Sequence, residues 1–332
     1  PGIEKVCALF QQDSNLYLLK DYSEKGFLFN PFDITKHGVL LPLDKSKFLS
    51  CAWTSFKTEA NNTPLNAVNS PEYRDNYIKL VSKALECIKT SDTKKIVTSR
   101  SETLNYTYNS IIPIIKSLFS LYPLAFCYCW YHPELGLWLG ASPESLVSIK
   151  NESFYTMALA GTQKVNDQNA ALSWQAKDKE EQDMVSQCII EQLTPLVPYL
   201  NISEAYSQIA GSLAHIKTDI SGKINSEISI KDLIKRLHPT PAVCGLPREQ
   251  ARTFLEYHEG YDREFYAGNM GELNFDDGNS DIYVNLRCMK LLNNKAILYV
   301  GGGIIEASVP EKEWEETVYK TETMKKVLFN AL

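Results

Sequence analysis

The chain has 332 residues, 44% of them hydrophobic and 22% charged, with a formal net charge of −6. The acidic balance excludes a general nucleic-acid or anionic-membrane binder, and no apolar run approaches the roughly 20 residues that span a bilayer. Eight cysteines (Cys7, Cys51, Cys87, Cys127, Cys129, Cys188, Cys244 and Cys288) include no C-x-x-C pair, which points away from zinc or a disulfide framework and towards buried free thiols in a reducing cytoplasm.

PGIEKVCALFQQDSNLYLLKDYS at the start lacks the basic, apolar and cleavage-site order of a secretory signal. Residues 1–70 alternate short strand-like runs (GFLFNPF, HGVLLPL, KFLSCAW) with a polar TEANNTPLNAVNSPE loop. Pro71 opens an amphipathic helix, with Tyr77, Leu80, Val81, Ala84, Leu85 and Ile88 at helical spacing. KKIVTSRSETLNYTY reads as a strand, Ile111–Leu121 as a helix, and PLAFCYCWYH, GLWLGAS and ESLVSI as consecutive strands, with Cys127 and Cys129 assigned to the core. SFYTMALAGTQKV is a further strand ending in Gly161, and a helical pattern runs from about Asn169 to Leu193, before the breaker Pro195. Ile202–Ile220 is strand-rich, and helices at Ile228–Leu237 and Pro247–His258 flank HPTPAVCG. EFYAGNMGELN, DIYVNLRCMKLL and KAILYVGGGII then make three strands ahead of a terminal helix over Glu311–Met324. Strands joined by short turns, with helices grouped rather than alternating, predict an α+β fold rich in antiparallel sheet. No short-period repeat or low-complexity linker divides it. Residues 1–332 are therefore expected to form a single catalytic domain, with 1–70 a strand-rich N-terminal portion and 71–332 the core that carries the motifs.

Several constellations suggest chemistry. Glu313 and Glu316 are three apart and Lys320 lies four beyond, so all three share one helix face. Asp178 and Glu181 make a second couple on an early helical turn. Carboxylates from two such helices can share an octahedral Mg²⁺, although a solvated face of ion pairs or acids placed to suit the helix dipole has the same spacing. Lys95, opening the strand KIVTSR, and Glu144, in the turn LGASPESL, are the candidate base and acid. Each needs a shifted pKa to act near neutrality, and each is otherwise a common strand-edge or turn residue. Gly161-Thr162 and the run Gly301-Gly302-Gly303 allow close backbone approach. Arg287, inside an apolar strand, calls for an anionic partner, with Tyr266 and Lys320 to complete the anion site. His215 and His238 have no metal-spaced partners and fit core or pocket-lining roles.

The ordered set KIVTSR, LGASPESL, ALAGT, KDKEEQ, LAHIKT, HPTPAVCG, EFYAGNMGEL, YVNLRC, YVGGGIIEASVPEKEWEET and YKTETM resembles the chorismate-utilising enzymes, among them isochorismate, salicylate, anthranilate and aminodeoxychorismate synthases. The likeness runs from about Pro71 to the C-terminus. It implies two antiparallel sheets packed face to face, helices outside, and a site in a deep cleft. It further implies Glu181 and Glu316 as Mg²⁺ ligands, with Asp178 and Glu313 as a second acidic tier. Tyr266, Arg287, Lys320 and the Gly302–Gly303 amides would grip the carboxylates of chorismate, Gly161 and Thr162 would line its ring, and His215 would stand near it.

Members that add water at C2 of chorismate carry lysine at the position of Lys95, as base for that water, where anthranilate synthases have glutamine. The aminodeoxychorismate branch has a lysine in the strand before Gly-Thr, which here reads ALAGT with Ala160. The resemblance therefore implies Mg²⁺-dependent formation of isochorismate, with Glu144 protonating the departing C4 hydroxyl and no glutamine amidotransferase subunit. Menaquinone synthesis is the expected pathway, with siderophore synthesis as the other. The alternatives are a salicylate synthase, which goes on to eliminate pyruvate, and a non-catalytic chorismate-binding protein. Gln182 stands where a histidine frequently follows the metal glutamate, and Cys244 where a smaller residue is common.

Overall fold

The computed structural model describes residues 5–53, 71–165, 172–197, 199–210, 213–224 and 228–331. Strands β1 (Lys5–Gln11), β2 (Tyr17–Leu18), β3 (Gly26–Asn30), β4 (Val39–Pro42) and β5 (Ser46–Ala52) precede helix α1 (Pro71–Thr90). Strand β6 (Lys95–Asn105) leads to α2 (Ile112–Leu121), then β7 (Phe126–His132), β8 (Gly136–Ser142), β9 (Ser145–Lys150) and β10 (Ser153–Lys164). Helix α3 (Ala176–Leu193) is followed by β11 (Leu200–Ile202), β12 (Tyr206–Ala210) and β13 (Leu213–Lys223). Then come α4 (Ile230–Leu237), β14 (Gly245–Leu246), α5 (Arg248–His258), β15 (Asn269–Phe275), β16 (Asn279–Val284), β17 (Cys288–Leu292), β18 (Lys295–Ile304) and α6 (Pro310–Phe329).

Local chemistry explains the helix starts. Proline opens α1 and α6, where its missing N–H is one of the donors a first turn leaves unpaired. Reciprocal capping boxes start α3, between Gln175 and Asp178, and α4, between Ser229 and Asp232. The helical pattern expected from about Asn169 is corrected: residues 172–175 are not helical and α3 begins only at Ala176, behind the extended N-cap Gln175, while 169–171 lie outside the described residues.

Among the described residues every strand pairing is antiparallel, in keeping with the α+β reading. A six-stranded sheet runs β14-β6-β18-β17-β8-β7, and a ten-stranded sheet runs β11-β13-β10-β9-β16-β15-β3-β4-β2 with β12 also on β13. β1 and β5 form a separate ribbon that the sequence did not announce. The two large sheets face each other across a shared aromatic core: Phe29 of β3 lies 4.6 Å from Trp130 of β7, and Tyr283 of β16 lies 4.1 Å from Phe126. Each fully buried side chain of this size contributes about 1.5–3 kcal/mol. Helices α1 and α5 cover one half of the outer face of the six-stranded sheet, α2 and α6 the other half. Helix α3 packs on β10 and β13, and α4 on α3 and β9.

Three expectations are corrected. DIYVNLRCMKLL is not one strand. It breaks at residues 285–287, where Arg287 adopts a positive φ of 48°, and β16 and β17 lie in different sheets. EFYAGNMGELN becomes a strand only at Asn269, which leaves Tyr266 in a preceding turn closed by the Tyr266 N–H to Arg263 O bond. The cysteines are not uniformly buried either. Only Cys244 and Cys288 are, while Cys7, Cys51 and Cys129 are exposed. In β7 Tyr128, Trp130 and His132 turn to the face between the sheets, while Cys127, on the other face, packs half-buried against the core cluster under α2 and Cys129 is exposed.

Candidate active site

The cleft opens where the sheets are stitched together. The chain leaves the six-stranded sheet after β8, through Pro143 and Glu144, to enter the ten-stranded one at β9. It returns through residues 285–287, between β16 and β17. The two crossovers lie side by side. Val284 N–H donates to Glu144 O at 3.0 Å, Ala141 N–H to Arg287 O at 3.0 Å, and the Ser142 hydroxyl to Val284 O at 2.5 Å. Asn285, fully buried, donates from Nδ2 to Phe265 O at 2.9 Å and so ties the second crossover to the turn that carries Tyr266. Glu144 and Arg287 therefore enter the same cavity, about 690 Å³ counting its open mouth. Gly161, Glu181, His215, Tyr266, Gly302, Gly303, Glu316 and Lys320 line it with them.

Lys95 begins β6 beneath this lining, fully buried, with Nζ 2.8 Å from Glu181 Oε1. Burial acts to raise the Glu181 carboxyl, but the charges of Lys95, Lys320 and Lys177 outweigh it and hold the group below the ordinary glutamate range. Glu144 behaves in the opposite way. Its burial is not offset by the Lys95 charge or by the Thr240 hydroxyl, which donates to Oε1 at 3.4 Å, and its carboxyl is pushed up to about 7. One acid is thus held ionised beside an ammonium, while the other retains a proton near neutrality.

Gly161 sits at a bulge in β10 with φ +68°, and its carbonyl accepts from His215 Nδ1 at 2.9 Å. His215 Nε2 is left to accept from Arg287 Nη2 at 3.4 Å. Burial, with the charges of Arg287 and Lys320, pushes His215 down to about 3, so this imidazole is neutral and steers the guanidinium. Arg287 Nη1 is buried with no hydrogen-bond partner, a cation at the cavity wall with a free donor. Lys320 pairs with Glu316 at 2.6 Å and donates to Gly301 O at 3.1 Å.

A family model described as a chorismate binding enzyme matches residues 44–329. The chain belongs to the chorismate-binding enzymes. It is 30% identical to the isochorismate synthase EntC of Escherichia coli K12 over 98% of this chain and 85% of that one. The crystal structure of DhbC from Bacillus anthracis, described as a 2,3-dihydroxybenzoate-specific isochorismate synthase, superposes with a TM-score of 0.83 at 25% identity, covering 98% of this chain and 94% of the other. The menaquinone-specific isochorismate synthase MenF of E. coli shares the fold, with a TM-score of 0.74 at 22% identity over 99% and 95%.

Within this cleft the acidic residues divide by position. Glu181 and Glu316 reach the cavity, whereas Asp178 caps α3 by accepting from Gln175 N–H at 3.2 Å, and Glu313 accepts from Lys177 Nζ at 2.9 Å. As the chain stands, no cluster of three or more His, Cys, Asp or Glu side chains is assembled to hold a metal ion among the described residues. The donor set nevertheless suits one: carboxylates from two helices, with Glu313 Oε2 buried and lacking a hydrogen-bond partner. Oxygen donors alone favour a hard cation such as Mg²⁺ over a soft metal.

The glycine run also resolves. Ser99 N–H is bound by Glu259 and Val97 N–H by Cys244 O, so their β18 partners Gly301 and Gly303 are non-hydrogen-bonded positions of that ladder. Gly302 is bonded into β6, leaving the Gly301 and Gly303 amides for the open edge. The expected Gly302–Gly303 pair of amides is thus corrected at Gly302, whose N–H is used within the sheet, and strand alternation pairs Gly301 with Gly303 instead. Lys177 and Thr240 were also missed as site residues. Both stand in quoted motifs, but their partners come from distant segments. The Thr162 side chain lies outside the described residues. His238 is buried and does not line the cavity.

Gly303 faces the ion pair directly. A Cβ there would collide with Glu181 Oε1 and come within 2.9 Å of Lys95 Cε. Gly303→Ala should cost about 1–3 kcal/mol of stability by overpacking. It should also lower chorismate turnover far more than the outward-facing Gly302→Ala, whose Cβ would come no closer than 3.3 Å to its nearest neighbour, the Tyr77 hydroxyl. Parallel melts and rates on the two variants check this, and equal losses would dissociate the pair from the chemistry.

Proposed function

We propose that the protein is an isochorismate synthase, adding water at C2 of chorismate with loss of the C4 hydroxyl. The observation that carries the reading is the opposed state of two buried groups at one cavity: Lys95 locked to an ionised Glu181, and Glu144 proton-bearing near pH 7. Arg287, with its free Nη1, and Lys320 hold the substrate carboxylates, helped by the Gly301 and Gly303 amides and the Tyr266 hydroxyl. Neutral His215 fixes the guanidinium, and Gly161 lets the ring lie against the bulge. Lys95 takes the proton of the attacking water, and Glu144 gives its own to the departing hydroxyl as the double bonds shift. Glu181 and Glu316 would hold Mg²⁺, backed by Asp178 and Glu313. When bound, the cation would neutralise a substrate carboxylate and the charge of Glu181 beside Lys95. Holding the reactants in this geometry supplies much of the acceleration.

Relatives' descriptions name several destinations, among them 2,3-dihydroxybenzoate, menaquinone and salicylate. The same chemistry serves each of them, and menaquinone synthesis remains the pathway expected from sequence. No helix among the described residues is long and apolar enough to cross a membrane, and we place the enzyme in the cytoplasm, acting on chorismate without an amidotransferase. Chromatography of chorismate incubated with protein and Mg²⁺ tests the reading. Isochorismate in equilibrium with chorismate, lost when a chelator is added, is the expected result. Salicylate with pyruvate would transfer the chain to the lyase-coupled reaction, and unchanged chorismate would overturn catalysis.

A further inference from the structure

Three ammonium groups neutralise the acidic side of the cleft, and they are not equivalent. Lys95 is fully buried, and Lys320 is tied both to Glu316 and to the Gly301 carbonyl. Lys177 stands one helical turn ahead of Glu181 on α3 and reaches across to α6, where Nζ meets Glu313 Oε1 at 2.9 Å. Its side chain is 27% exposed against 1% for Glu313, so the lysine is the partner free to leave. Glu313 is only half satisfied, because its other oxygen is buried without a hydrogen bond. The Lys177 charge also acts on Glu316 and Glu181.

We propose that Lys177 is a tethered counter-cation that competes with the divalent cation for Glu313 and sets how tightly the cation is taken up. The inference rests on the metal reading of the acidic pair given above. In the metal-free protein the ammonium keeps two facing acidic helices from repelling each other. A divalent cation must displace it into solvent, and that displacement weakens apparent metal affinity. The positions of Asp178, Glu181 and Glu316 do not change this logic, since each carries the same sign, and Lys177 is the most exposed of the three lysines, at 27% against 15% for Lys320 and 0% for Lys95.

The test is calorimetric titration of the intact protein with MgCl₂ in the absence of chorismate, so that the readout is affinity rather than turnover. Lys177→Gln should bind Mg²⁺ more tightly than wild type by about fivefold or more, the lower end of ordinary site-to-site coupling. Its melting temperature should be lower without Mg²⁺ and should rise more on adding it. Equal or weaker binding by a folded Lys177→Gln, with wild type binding normally, overturns the competition and leaves the metal site standing. Absence of Mg²⁺ uptake by both proteins overturns the metal reading and this inference together. Lys177→Arg provides the second arm if Lys177→Gln does not fold. Its fork can engage both Glu313 oxygens, so it should bind Mg²⁺ more weakly than wild type; equal or tighter binding overturns the proposal.

Discussion

Lys95→Ala should reduce isochorismate formation by about 10²–10⁴, the usual contribution of a positioned base, while leaving chorismate binding measurable. Lys95 is fully buried and is the nearest counter-charge of Glu181. Truncating it therefore also leaves a buried carboxylate, at a cost of roughly 3–5 kcal/mol of stability. That penalty has a sign that can be checked. A protonated Glu181 needs no partner, so the variant should recover stability relative to wild type as pH is lowered. Melting curves over pH, beside single-turnover rates, separate the two effects. Retained turnover in a folded variant would remove Lys95 from the role of base.

Glu144→Gln should lower turnover by a similar factor, about 10²–10⁴, by deleting the proton donor. Its clearest mark is in pH dependence. Burial raises the Glu144 carboxyl from 4.5 to about 7, so the folded state binds the proton more tightly than the unfolded state. The stability linked to that proton is fully present below about 4.5 and is lost as pH rises through about 7, a total of about 3 kcal/mol. Wild type should therefore show a falling limb of stability over that window, and of kcat/KM above about 7 as the acid ionises. In Glu144→Gln the stability limb should flatten. Chemical denaturation at intervals of pH makes the comparison, and an unchanged slope would mean that Glu144 is already ionised.

What could be read from the chain alone follows from what one-dimensional patterns carry. Helix spacing gave the acidic couples and Lys320 because side chains three or four apart share a face whatever surrounds them. It could not show that Asp178 turns back to cap its own helix, since a capping acid and a metal acid occupy the same first turn. Alternation found the apolar run around Arg287, but alternation is blind to one residue at positive φ, and that residue moves the chain into the other sheet. Tyr266 was placed on a strand for the same reason. Lys177 and Thr240 were legible as residues but not as partners, because Glu313 and Glu144 reach them from other segments. KFLSCAW reads as a strand, but its pairing with β1 was not legible, because β5 is exposed along nearly its whole length and β1 has no fully buried position to mark a face.

The paired crossovers have a mechanical meaning as well. When two leaves flex about a common line, points on that line move least and points at the free margins move most. Glu144 and Arg287 sit on the stitching itself, whereas Glu181 and Glu316 come from helices packed outside it. Breathing of the molecule should therefore leave the proton donor and the anion anchor in fixed relation while the acidic jaw widens and narrows. The part that must be accurate to a fraction of an ångström is built on the axle, and the part that must admit and release cargo hangs from the moving edge.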